Sequence, residues 1–200
     1  MSANSSSGVM ADIAMIDRYQ SGDTVPLSAA FICYAHADNT SADPKQRWLD
    51  RFLEFIRPMT RQEELNVWSD RQIKIGEDWN TRIRQQLLAA KAIVLLVSPA
   101  FLASDYIAQH EMPLLLMQAK ERGIPIIQLL VSPCLDEETK FRYPDHKTGP
   151  NEFSLRSLQA ANAPSKTLIE MTEAEQNRVL IEAARTLWAA LRPRPTDVLF

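Results

Sequence analysis

Apolar positions in this 200-residue chain fall into short unbroken runs separated by amphipathic stretches. The first run, Ala29-Ala30-Phe31-Ile32-Cys33-Tyr34, has the length and continuity of a buried strand. A polar loop of small residues follows over 35–40. Asp43 and Pro44 predict a helix start, with Asp43 as N-cap and Pro44 at the first helical position. Trp48, Leu49, Phe52, Leu53 and Ile56 then recur at helical spacing and make one apolar stripe. Leu65-Asn66-Val67-Trp68 reads as a second short strand, followed by a polar loop over 69–76. Glu77 and Asp78 favour a helix start there, with Trp79, Ile83 and Leu87 on its inner face.

Ala92-Ile93-Val94-Leu95-Leu96-Val97 is apolar without alternation, which predicts a central parallel strand covered on both faces. Ser98-Pro99 ends it. A short stretch over 100–110 leads to an apolar helix from Glu111 to about Arg122, with Pro113 in its first turn and a junction near Gln109. Gly123 closes that helix as a C-cap, and Ile126-Ile127-Gln128-Leu129-Leu130-Val131 returns as a strand. Residues 132–162 read as loop, with a short fifth strand near an edge around Ser157-Leu158. Thr172 and Glu175 form a capping box for a last helix, whose buried stripe is Leu180, Ala184, Leu187 and Leu191. Strands alternating with helices imply an α/β parallel sheet with right-handed crossovers, and ligands of such sheets bind outside the carboxyl ends of the strands. The loops over 35–40, 69–76 and 98–111 therefore take priority. The expected organisation is a loose leader over 1–27, one domain over 28–192, and a tail over 193–200 that reads as a linker towards a module outside this chain.

Composition narrows the function classes. With 46% hydrophobic and 24% charged residues, the chain can bury a core without disulfide or metal staples. A net charge of −3 argues against non-specific nucleic-acid binding. The two cysteines, Cys33 and Cys134, read as free thiols in a reducing compartment. Five scattered glycines provide neither a G-x-G-x-x-G turn nor a phosphate loop, and three histidines lack zinc-ligand spacing. The start of the chain lacks the pattern of a signal peptide, and the greasiest region, 87–103, is interrupted by Lys91, Ser98 and Pro99. The expectation is a cytoplasmic protein with no membrane span, no metal and no bound cofactor.

Three boxes carry a family resemblance. Phe31-Ile32-Cys33-Tyr34-Ala35-His36 is similar to the opening F-I-S-Y-S-H box of TIR (Toll/interleukin receptor) domains, with Cys33 where Ser is usual. Trp68-Ser69-Asp70-Arg71-Gln72-Ile73-Lys74-Ile75-Gly76 resembles that family's second strand and following loop. Leu95-Leu96-Val97-Ser98-Pro99-Ala100-Phe101, then Ser104-Asp105-Tyr106 and Glu111, resembles its third box. The three occur in the family's order, and the likeness runs from about Ser28 to Leu191. It implies a flavodoxin-like parallel sheet of about five strands with helices on both faces. It also implies a bacterial-type domain that cleaves NAD⁺ as substrate, in antiphage defence or immune signalling, activated by self-association.

In that resemblance Glu111 is the catalytic acid. Tyr106 stands where a Trp often precedes it, at a looser spacing. Nicotinamide leaves a cationic ring as a neutral molecule and needs no general acid. The transition state instead gathers positive charge on the ribose, which one carboxylate can stabilise, or attack. A chain with one suspect Glu and no metal cluster fits that reaction better than it fits a two-carboxylate glycosidase. Glu111 equally suits a first-turn carboxylate that complements a helix dipole.

Substrate contacts are expected from Tyr34 and His36 at the end of the first strand and from Ser98 at the tip of the central strand. Tyr106 offers a ring for stacking. Asp70, Arg71 and Ile73 belong to the loop that resembles the family's BB loop. Each also has a plainer reading: Tyr34 as core cover, Ser98 as a strand terminator before Pro, and the charged loop as solvated surface. Two other functions fit the same residues. One is a non-catalytic scaffold that binds other TIR domains through the 69–76 loop; the other is an enzyme resembling nucleoside deoxyribosyltransferases.

Overall fold

A computed structural model describes residues 30–62, 67–69, 79–142 and 152–192. The expected leader and tail lie outside the described residues. Four parallel strands form the main sheet: β1 (Ala30–Tyr34), β2 (Val67–Trp68), β3 (Ala92–Val97) and β4 (Ile126–Leu130), in the order β2-β1-β3-β4. The register sets Cys33 beside Leu95 and Leu95 beside Gln128. All positions of β1 and β3 are buried, as unbroken apolar runs require when helices cover both faces.

Because strand side chains alternate in direction, residue parity decides which layer each one enters. Ala30, Ile32 and Tyr34 of β1, with Ala92, Val94 and Leu96 of β3, face α1 (Trp48–Gln62) and the last helix. There they meet Trp48, Leu49, Phe52 and Ile56, along with Leu180, Ala184, Leu187 and Leu191. Phe31, Cys33, Ile93, Leu95 and Val97 face the opposite layer, formed by α2 (Trp79–Ala89) and the helix that precedes β4. The predicted inner positions Ile83 and Leu87 are buried there; of Trp79 only the backbone is described.

Four expectations change. The helix foreseen from Pro44 is a single 3-10 turn, Pro44–Gln46, with Asp43 accepting from the Lys45 N–H at 2.9 Å. Arg47 then leaves helical conformation, its Nε donating to the Ser41 carbonyl at 2.7 Å, and α1 begins at Trp48. The fifth strand is reduced to one parallel bridge, Gln128 with Ala160, and Ser157 ends a 3-10 turn instead. The Asn162 amide substitutes for the missing strand: it accepts from the Leu130 N–H at 2.9 Å and donates to the Leu130 carbonyl at 3.0 Å. Residues 132–162 also contain a small antiparallel pair, β5 (Lys140–Arg142) and β6 (Glu152–Ser154), in which Phe141 pairs with Phe153; three residues each are too few for a strand to stand out in the sequence.

The fourth change concerns the helix before β4. Helical backbone starts at position 105, not at Glu111, after Ser104 accepts from the Ile107 N–H at 3.3 Å. It passes through a π turn, Ile107–Glu111, and continues as α4 (Met112–Arg122); α3 (Pro99–Leu102) lies upstream. Gly123 ends α4 in left-handed conformation (φ 65°), the C-cap expected of glycine.

The last helix, α5 (Glu173–Leu191), opens with the predicted capping box. The Glu175 carboxylate accepts from Lys166 at 2.6 Å and from the Thr172 backbone N–H at 2.9 Å, which holds its pKa down at about 2. A depressed acid stabilises the fold above its ordinary value of 4.5 and loses that contribution as pH falls towards 2. Thr172→Ala removes the cap and is expected to lower the melting temperature by about 2–4 °C at pH 7. Thermal melts at pH 7 and at the acid end should show that difference shrinking on acidification.

Candidate functional site

The site lies at the carboxyl ends of β1 and β3. Since its odd positions face α2 and α4, β1 delivers the Cys33 thiol into the layer from which Glu111 arrives. Cys33 Sγ donates to Glu111 Oε2 at 2.7 Å across 78 residues of sequence. Glu111 is 5% exposed and Cys33 1%. A carboxylate this deep among apolar neighbours requires hydrogen-bond donors, and the thiol is one of them.

The π turn accounts for the looser spacing from Tyr106 to Glu111. Neighbours on an α-helix face are three or four residues apart, whereas here the separation is five. A π turn closes with an i→i+5 bond, and the Met112 N–H donates to the Ile107 carbonyl in that way. The additional residue is thereby absorbed in the backbone, with Gln109 and His110 outside and Ile107, Glu111 and Met112 inside. This overturns the reading of Glu111 as a first-turn carboxylate complementing a dipole, because helical backbone precedes it by six residues.

The other candidates are placed unevenly. Ser98 is 1% exposed, and its hydroxyl is engaged twice: it accepts from the Phe101 N–H at 3.0 Å as N-cap of α3 and donates to Asp38 Oδ2 at 2.5 Å. That arrangement matches its strand-terminating role. Tyr34 ends β1 but is buried with the α1 and α5 residues, on the side of the sheet away from Cys33. His36 is exposed, its ring 5.4 Å from that of Tyr34. Tyr106 is half-buried beside the α4 layer, its ring 5.0 Å from that of His110. Asp70, Arg71 and Ile73 lie outside the described residues.

Sequence reading missed Asp38 and the Cys33 contact. Asp38 sits in the 3-10 turn after β1 (His36–Asn39), and burial pushes its pKa above the ordinary 3.8 against the opposing effect of the Ser98 hydrogen bond. The signal available was an acid four residues beyond the end of a buried strand, at the rim where such sheets bind ligands. An acid with a raised folded-state pKa favours the fold at low pH and loses that contribution as pH rises through the folded value. Ser98→Ala removes the cap and the donor to Asp38, and should cost about 1–2 kcal/mol at pH 7. Urea unfolding should show the deficit narrowing as Asp38 becomes protonated, since a neutral carboxyl depends less on that donor.

Among the described residues, a cavity of about 230 Å³ opens beyond β4, lined in part by Leu130, Cys134, Asp136, Arg156 and Thr167. Burial, with Asp136 nearby, pushes the Cys134 thiol up to about 11, so it stays protonated and poorly nucleophilic at neutral pH. No group of three or more potential metal ligands occurs among the described residues, and none of their helices is long and apolar enough to cross a membrane.

Comparison with known proteins agrees with this geometry. Residues 30–162 match the family model described as "TIR domain". The uncharacterised protein y4lF of Sinorhizobium fredii (strain NBRC 101917 / NGR234) is 29% identical over 108 residues, covering 54% of this chain and 31% of that protein. The chain thus spans about a third of the length of that relative. With four parallel strands flanked by helices and a family match over most of the described residues, the chain belongs to the TIR domain family.

Proposed function

We propose that this domain cleaves NAD⁺ at the bond between nicotinamide and ribose, with Glu111 as the catalytic residue. What carries the reading is one buried carboxylate, held at 2.7 Å by a sheet residue at the carboxyl end of a parallel sheet. The family to which the chain belongs includes NAD⁺-cleaving members, which supports it further.

The chemistry needs little more. The carbon–nitrogen bond breaks with its electron pair leaving on nicotinamide, which departs neutral. Positive charge grows on the ribose, and a carboxylate out of bulk water opposes it more strongly than one in solvent. Water, or a hydroxyl of the same nucleotide, then bonds to the sugar carbon and releases a proton. The products are ADP-ribose or a cyclic form. Self-association through the 69–76 loop is the proposed activator, and antiphage defence or immune signalling the proposed setting.

The test is nicotinamide release from NAD⁺ by the purified protein over a range of concentrations. Release that rises more steeply than protein concentration is expected. Inactivity at every concentration, including protein clustered on a support, would contradict the reading.

A further inference from the structure

We infer that Cys33 is the positioning residue of the site: its thiol fixes the direction of the Glu111 carboxylate, and turnover depends on a hydrogen-bond donor at position 33. The inference deepens the reading of Glu111 as the catalytic residue and rests on it.

The two partners differ in how firmly their backbones are held. Cys33 lies in β1, between β2 and β3 in the sheet, and its own register partner is Leu95. Its Sγ therefore projects from a fixed point. Glu111 ends a π turn, and its side chain crosses to the sheet from a backbone with one residue more than a regular turn. The bond between them ties that irregular turn to the sheet.

A carboxylate that has lost this donor gains by turning towards water or another donor, and small displacements of a reacting group are costly in rate. A thiol donates less strongly than a hydroxyl but from the same Cβ. Serine at this position therefore preserves the device, whereas alanine and valine remove it.

The experiment compares wild type with Cys33→Ser, Cys33→Ala and Cys33→Val in steady-state NAD⁺ cleavage and thermal melting. Valine fills the space and favours a strand, so it covers the case in which alanine fails to fold. Expected is a fall in kcat of about 10- to 100-fold for alanine and valine with KM within about twofold, and recovery to within about threefold for serine. A folded alanine or valine variant with wild-type kcat overturns the inference while leaving the role of Glu111 intact. So does a loss that serine fails to restore. The infrared S–H stretching band gives a readout independent of turnover: Glu111→Gln should shift the band of Cys33, and an unmoved band overturns the inference directly. Wild-type protein that cleaves no NAD⁺ in any state of assembly, yet shows that shift, overturns the functional reading and with it the part of Cys33 in turnover.

Discussion

Glu111→Gln is expected to reduce nicotinamide release by about 10³-fold or more while leaving the domain folded. The reaction as derived has one side chain opposing the charge that grows on ribose, and preorganised electrostatic groups of this kind are worth about 10²–10³ in rate even when others share the work. Glutamine keeps the size of the side chain and can still accept from the Cys33 thiol through its amide oxygen. The variant should therefore melt within a few degrees of wild type, about what removal of one buried charge at constant volume allows. Glu111→Ala should be equally inactive. Its stability is a less clean control, because it also leaves the thiol and the space around it unfilled. Single-turnover assays at high protein concentration separate loss of chemistry from loss of assembly.

Leu95→Ala is the second large effect, and it falls on stability. Leu95 is fully buried at the centre of β3, in register with Cys33 on one side and Gln128 on the other. It faces the layer that contains Ile107, Met112 and the Glu111–Cys33 pair. Truncating a buried leucine costs about 2–5 kcal/mol through lost burial and the cavity that remains. For a domain of this size that corresponds to a fall of about 5–15 °C in melting temperature. Because the cavity would open beside Cys33, activity per folded molecule should drop as well. The equivalent change in the other layer, Leu96→Ala, should destabilise similarly and affect activity less. Differential scanning calorimetry with parallel assays below the melting range checks both.

How much was legible in sequence follows from how local each signal is. The unbroken apolar run of β3, the Thr172 and Glu175 capping box and the Gly123 cap all depend on neighbours within a few residues, and each appears where expected. The fifth strand failed because a single bridge at Ala160 and a side chain, Asn162, do the work of a strand without strand periodicity. The start of the helix before β4 was misplaced because Pro113 looks like a first-turn residue, yet a π turn just upstream leaves its missing N–H at little cost.

The site divides along the same line. Glu111 was recognisable only as part of an ordered set of boxes, since nothing local distinguishes it from a helix-dipole carboxylate. The contact between Cys33 and Glu111 was half legible: its odd position along β1 assigns Cys33 to one layer, but the layer of Glu111 depended on a turn whose extra residue leaves no mark in composition. Tyr34 shows the converse. Its place at a strand end near the rim pointed to substrate, while its even position had already committed it to the α1 and α5 layer.

The most direct measurement is the nucleotide product profile of NAD⁺ incubated with wild type and Glu111→Ala, at dilute and at concentrated protein. Concentrated wild type should yield nicotinamide with ADP-ribose or a cyclised form, dilute protein little, and the variant none at either concentration. Equal product from wild type and variant, or intact NAD⁺ throughout, would contradict it.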